Sequence, residues 1–333
     1  MFLTDRWREI QHPEAGHDKG RRPYFEGWYV KLVSADRSAR LAVIPGLFRG
    51  SDGDEEAFVQ VLDGATGRSW YAVYPSSEYW AAPDRFTVQV GPNRFTGAGV
   101  ELDVVTEDLA LRGEVEFTTA LQPWPVRRRS PGAMGWYSYM PFMECYHGVV
   151  SFGHSLAGSV ALNGDTVDWS GGTGYLEQDW GQAFPAGYVW MHSNHFTTPG
   201  VSLMGSVALI PWLRGQFRGL LIGLMTPQGL QTFATYNGTK TKRLAVDDEH
   251  VFLDVRRRDG WTLGLRAERT GGALLHAPIR SAMHRRVEET LDARIHVTLT
   301  DDSGHVVLAD TGEVAGLEVH GEIDELVATP DRK

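Results

Sequence analysis

The chain has 333 residues, 42% of them hydrophobic and 22% charged, with a formal net charge of −10. That is material for one large or two medium domains with real cores. The acidic balance argues against a nucleic-acid surface, which needs a basic footprint; the run Arg127–Arg129 is too short to reverse it.

The opening residues, MFLTDRWREIQHPE, lack the apolar core of a signal peptide. Thr4–Gln11 is a helix candidate. After it the chain turns to short β-branched and aromatic runs, each stopped by turn residues. Leu41–Ile44 stops at Pro45-Gly46, Phe58–Leu62 at Asp63-Gly64, Trp70–Tyr74 at Pro75, and Phe86–Val90 at Gly91-Pro92-Asn93. Val100–Val105 and Gly113–Phe117 follow. Beyond the middle of the chain, Ser202–Ile210, Phe217–Met225, Gln231–Tyr236, Val251–Val255, Trp261–Ala267 and Ile295–Thr300 continue the pattern. Met283–Ala293 fits a helix or a strand. Runs of this length and spacing predict antiparallel barrels or sandwiches. The expected fold is all-β, with two packed halves, 1–184 and 185–330, and a ligand pocket opening where they meet.

The longest apolar passage, Val201–Leu213, contains Gly205 and Pro211 and is shorter than the ~18–20 residues of a spanning helix. The expectation is a soluble, cytoplasmic protein that visits membranes only to collect a lipid. Cys145 is the only cysteine, so no intramolecular disulfide can form. It reads as a small buried residue.

The stretch 131–196 concentrates rings, glycines and titratable groups beyond what a surface needs or a plain core tolerates. It predicts an aromatic pocket with acids in its wall. In YLEQDWG, read as a strand, Tyr175, Glu177 and Asp179 share one face, and Leu176, Gln178 and Trp180 the other. If that face is buried, repulsion and desolvation keep one acid protonated, a proton donor in waiting. If it is an edge, the acids face water. In MECYHG, Glu144 and Tyr146 share a face, with Cys145 and His147 opposite; Glu144 or His147 orients an acid, binds a head group, or is a hydrogen-bonded core group. His192 and His195 are three apart and would point to opposite faces of a strand, so they do not chelate one metal together; a site from Glu144, His147 and one of the pair stays open, though no spacing announces it. His195 bonds a substrate hydroxyl or a core carbonyl. In YFEGWY, Glu26 either pairs with Arg22 or looks into the pocket, and charge balance favours the pairing. Trp28, Trp136, Tyr146, Trp180, Trp190, His192 and Asn194 complete the candidate binding wall. No P-loop, Gly-x-Gly-x-x-Gly or Gly-x-Ser-x-Gly motif appears. Neither a cofactor nor a metal is expected.

These blocks resemble the tocopherol cyclase family: YFEGWYVK (24–31), AVIPGLF (42–48), FVQVLDGATG (58–67), PGAMGWYSYMPFMECYHGVVS (131–151), GGTGYLEQDWGQAFP (171–185), VWMHSNHF (189–196) and AGLEVHG (315–321). The family is distantly similar to carotenoid hydratases with two lipocalin-like barrels, whose acid two residues after an aromatic falls here on Tyr175 and Glu177. The resemblance implies chemistry without a cofactor. A carboxylic acid protonates the alkene of a prenylated hydroquinone, and the phenol closes a chromanol ring on the resulting cation. Glu177 is the implied donor, with Asp179 raising its pKa or exchanging roles with it. Tyr175, Trp180 and Trp136 are the candidates to steady the cation, and Glu144, His147, Asn194 and His195 to hold the head group or deprotonate the phenol. The alternatives are hydration of an isoprenoid alkene and a carrier that returns its prenyl lipid unchanged.

Overall fold

The structure, a computed structural model, describes residues 15–127, 130–213 and 215–332. The helix expected at Thr4–Gln11 lies outside the described residues. The protein is nearly all β, built on two large antiparallel sheets. The residues cluster into two compact units. One runs to Phe184 and takes in Leu274–Arg286; the other comprises Pro185–Ala273 and Val287–Lys333.

In the first unit the main sheet runs, edge to edge, Arg68–Tyr74, Glu55–Asp63, Arg40–Arg49, Tyr24–Val33, Thr173–Gly181, Cys145–Leu162, Ala110–Phe117, Gly99–Val105, Asn93–Thr96, Thr87–Val90 and Tyr79–Ala81. Most neighbours are joined by short turns, so local hairpins build most of it. The insertion of Thr173–Gly181 beside Tyr24–Val33 is long-range. Thr87–Val90 contacts Arg40–Arg49 and Glu55–Asp63, so the sheet curls over and one face becomes an interior. Trp28, Val30 and Leu32 meet Phe86, Phe95 and Val100 there. Each such side chain contributes roughly 1.5–3 kcal/mol by leaving water.

In the second unit the order is Gly229–Ala234, Gly215–Thr226, Ser202–Trp212, Gly187–Ser193, Val306–Gly321, Met283–Thr300, Thr262–Glu268, His250–Arg256 and Lys240–Val246. Met283–Ala293, ambiguous in sequence, is strand. A register shift between Thr290 and Ala293 breaks the two-residue rhythm of burial and imitates a helical spacing. The short helix Ile323–Ala328 sends fully buried Leu326 into this unit's core. Asp331 then accepts from Arg218 Nε (3.0 Å) and the Thr241 N–H (2.7 Å), tying two strands far apart in the sheet. No described helix is long and apolar enough to cross a membrane.

Candidate active site

Strand Thr173–Gly181 lies between Tyr24–Val33 and Cys145–Leu162. Its register sets Glu177 opposite Tyr29 and Val149, and Asp179 opposite Gly27 and His147. Directly opposed residues of antiparallel strands project to the same side. Tyr175, Glu177 and Asp179 therefore share a face, joined by His147 and Cys145. Gln178 and Trp180 lie on the other face, as alternation requires.

His147 stands between the two acids. Its Nδ1 is hydrogen-bonded to Asp179 Oδ1 at 2.9 Å. Its Nε2 is 3.3 Å from Glu177 Oε2, at ion-pair distance but not aligned for a hydrogen bond. The Tyr175 hydroxyl donates to the same Glu177 oxygen. Burial disfavours the imidazolium, but Asp179 and Glu177 outweigh it and lift the His147 pKa from 6.5 to about 9. The like-charge repulsion of the two acids is thus met by a cation between them. At neutral pH His147 therefore carries a proton of its own beside the two acids, a carrier that the two-residue spacing of the acids does not reveal. Burial, then the charge of Glu177, hold the Tyr175 phenol well above its ordinary pKa, so it stays a donor.

Exposure is graded along this chain. The Asp179 side chain is 26% exposed, His147 10% and Glu177 4%, and Tyr175 is fully buried. The Cys145 thiol lies 3.8 Å from Asp179 Oδ1; burial and the nearby carboxylates push its pKa up, so it is no thiolate nucleophile. Lys31, fully buried, is paired in register with Tyr175 on the same face. The sequence reading passed over it, although two-residue counting from Tyr29 along YVKLV puts it there.

Other predicted residues lie elsewhere. Glu26 and Trp28 are on the reverse face of Tyr24–Val33, opposite Trp180 and Gln178 in register. Glu26 does not pair with Arg22, which binds Glu55 at 2.6 Å. It is fully buried and accepts from the His17 N–H (2.8 Å), the Tyr24 hydroxyl (2.9 Å) and the Tyr79 hydroxyl (2.5 Å). Tyr146 and Trp180 stack on each other on that reverse face, with ring centroids 5.5 Å apart. Glu144 precedes its strand and turns to Arg280 at 3.1 Å, away from His147. Trp136 stacks on Tyr137 in the turn Gly135–Tyr139. Trp190, His192, Asn194 and His195 belong to the second unit. Trp190 and His192 share a face of Gly187–Ser193, with rings 6.4 Å apart. His195 lies beyond that strand in a backbone bridge with Glu313.

Possible donor atoms of His147, Glu177 and Asp179 come within 4.8 Å of one another, the spacing a metal site also requires. The imidazole also turns one nitrogen toward each carboxylate, Nδ1 to Asp179 and Nε2 to Glu177, an arrangement that a proton carrier between two acids requires as well.

The all-β scaffold thus carries an acid–imidazole–acid–phenol cluster whose exposure falls from Asp179 to Tyr175. The chain belongs to the tocopherol cyclase-like family, whose model matches residues 22–321. A rice protein (Oryza sativa subsp. japonica) named as a probable chloroplastic tocopherol cyclase is 22% identical over 255 residues, 62% of this chain and 53% of that protein. The chain thus spans about half the length of this curated relative. Among solved structures, CghA with Sch210972 is similar over 90% of this chain and 89% of that one, with a TM-score of 0.57 and 9% identity. A Nitrosomonas europaea protein assigned as an AttH is similar over 91% and 94%, with a TM-score of 0.52 and 15% identity. At such identities the likeness is one of fold.

Proposed function

We propose that this chain is an acid-catalysed cyclase that works without a cofactor on a prenylated hydroquinone or a related prenyl aromatic. The observation that carries the reading is the fall in exposure from Asp179 through His147 to Glu177 and Tyr175. It describes a proton path with a wetter end and a dry end. Family membership and the name of the rice relative support the same chemistry.

The resting relay holds one proton, on His147. An apolar substrate over Glu177 excludes water, and in a drier site a neutral imidazole and carboxylic acid gain on the ion pair. The proton then passes from His147 Nε2 to Glu177. Glu177 adds it to the alkene carbon that leaves a tertiary cation. The phenol oxygen attacks that cation, forming the C–O bond, and its proton returns to the carboxylate. Atoms balance as an isomerisation. The buried Tyr175 ring offers its π face to the cation, and its hydroxyl steadies Glu177 between turnovers. The protein is expected to work in the cytoplasm and to meet membranes transiently when it collects substrate.

Assaying Glu177→Gln and Asp179→Asn on a prenyl quinol tests this. Loss of turnover in the first and a marked fall in the second are expected; full turnover by both ends the assignment. A product heavier by one water identifies a hydratase, and a co-purifying unaltered lipid a carrier.

A further inference from the structure

The strands that carry the relay have a reverse face, and the residues there form one connected chain. Register sets Trp180 opposite Tyr146 on one side and opposite Glu26 on the other. The Trp180 and Tyr146 rings are stacked, 5.5 Å between centroids and 11° between planes. His17 stacks on Trp180 at 4.2 Å and 15°. The His17 backbone N–H is fixed to Glu26 Oε2 at 2.8 Å. Gln178 ties down the same segment, its Nε2 donating to the Ala15 carbonyl at 3.1 Å.

Trp180 follows Asp179 in the chain, and Tyr146 precedes His147. The stacked pair on one face is therefore back to back with the hydrogen-bonded pair on the other. Successive side chains of a strand leave one backbone in opposite directions, so fixing the rings fixes the direction from which Asp179 and His147 meet. His17 has no charge to offer, because burial lowers its pKa to about 3. Its Nε2 is buried with no hydrogen-bond partner. What it contributes to Trp180 is the face of its ring. Stacked aromatic pairs prefer a narrow range of offsets and plane angles, so the stack constrains direction as well as distance.

We propose that His17, Trp180 and Tyr146 are positioning residues: their stack holds Asp179 at bonding distance from His147, and Glu26 fastens the His17 end. The proposal rests on the reading of the triad as a proton relay. It gives Trp180 and Tyr146, expected from sequence to touch substrate, and Glu26, expected either to pair with Arg22 or to look into the pocket, to the support of the residues that do the chemistry.

The test is an NMR titration of the His147 imidazole in the full chain, assigned by the signal lost in His147→Gln. The groups facing that ring are Asp179 and Glu177, with the Cys145 thiol beside Asp179 and the Tyr175 hydroxyl on Glu177. The wild-type midpoint should lie near 9. His17→Leu keeps the buried volume and removes the ring face; Trp180→Leu removes the middle of the stack. Each should lower the midpoint by about one unit, a tenfold weaker hold on the proton, and His17→Phe should keep it at the wild-type value. Midpoints unchanged in both leucine variants, with only the thermal midpoint reduced, would mean the stack merely packs the sheet and would overturn the proposal. Where His17→Leu does not fold, His17→Phe still decides, since a lowered midpoint there contradicts a role for the ring face. The titration reads no turnover. A wild type that leaves prenyl quinol unconverted would end the proposed function without altering this result.

Discussion

His147 and Asp179 oppose each other in register across two strands, 32 residues apart in the chain, with Nδ1 2.9 Å from Oδ1. The pairing makes stability depend on pH. The folded state raises the His147 pKa from 6.5 to about 9, so it binds that proton more tightly than the unfolded chain does. The contribution is complete below pH 6.5 and is lost as pH rises through 9. Its size is on the order of 3 kcal/mol. Urea unfolding at pH 6 and pH 10 should show this loss in the wild type and a loss at least halved in Asp179→Asn.

Glu177→Gln keeps the shape and removes the transferable proton. Turnover should fall by about 10²–10⁴, the usual worth of a general acid, with little change in KM. Tyr175→Phe removes one donor to Glu177 and not the acid itself, so its loss should be smaller. Steady-state kinetics of both variants on one prenyl quinol separates the roles.

Burial raises the Glu26 pKa from 4.5 to about 7, against the pull of three donors. For an acid raised in the folded state, the favourable contribution is complete below 4.5 and lost as pH rises through 7. Glu26→Gln removes the titration. It should match the wild type at pH 4 and exceed it at pH 9 by roughly 1–3 kcal/mol, measured by chemical unfolding at both values.

Gly181 ends the relay strand at φ +153°, and a Cβ there would lie 2.3 Å from the Glu144 carbonyl oxygen. Gly200 also has positive φ, +78°, with nothing within 4 Å of an added Cβ. Gly181→Ala should therefore cost more than Gly200→Ala, by about 1–3 kcal/mol. Thermal unfolding of the two variants side by side measures the added cost of the clash and of the more strained backbone at Gly181.

Much of the scaffold was legible in the sequence because its turns are local. Trp70–Tyr74, Val100–Val105 and Phe58–Leu62 fall inside observed strands, the first and last of them followed by the Pro75 and Asp63-Gly64 turn signals. Cys145–Leu162 was not read as one 18-residue strand, since its glycines imitate turns and its register shifts disturb the alternation. The grouping of Tyr175, Glu177 and Asp179 followed from two-residue spacing alone. The partnership with His147 did not, because register between distant strands is a property of the folded sheet. Glu26 and Trp28 were misdirected for a related reason. Tyr24–Val33 is buried on both faces, so nothing in YFEGWYVK distinguishes the core side from the relay side. His17 lies before the first described strand in a stretch with no periodicity, and only the tertiary stack reveals it.

The measurement closest to the central claim is turnover of a prenyl hydroquinone in D2O, with the product read by mass spectrometry. The account predicts a chromanol that carries one deuterium on carbon and otherwise keeps the mass of its substrate, formed by the wild type and not by Glu177→Gln. A product without carbon-bound deuterium, or equal yield from Glu177→Gln, would contradict it.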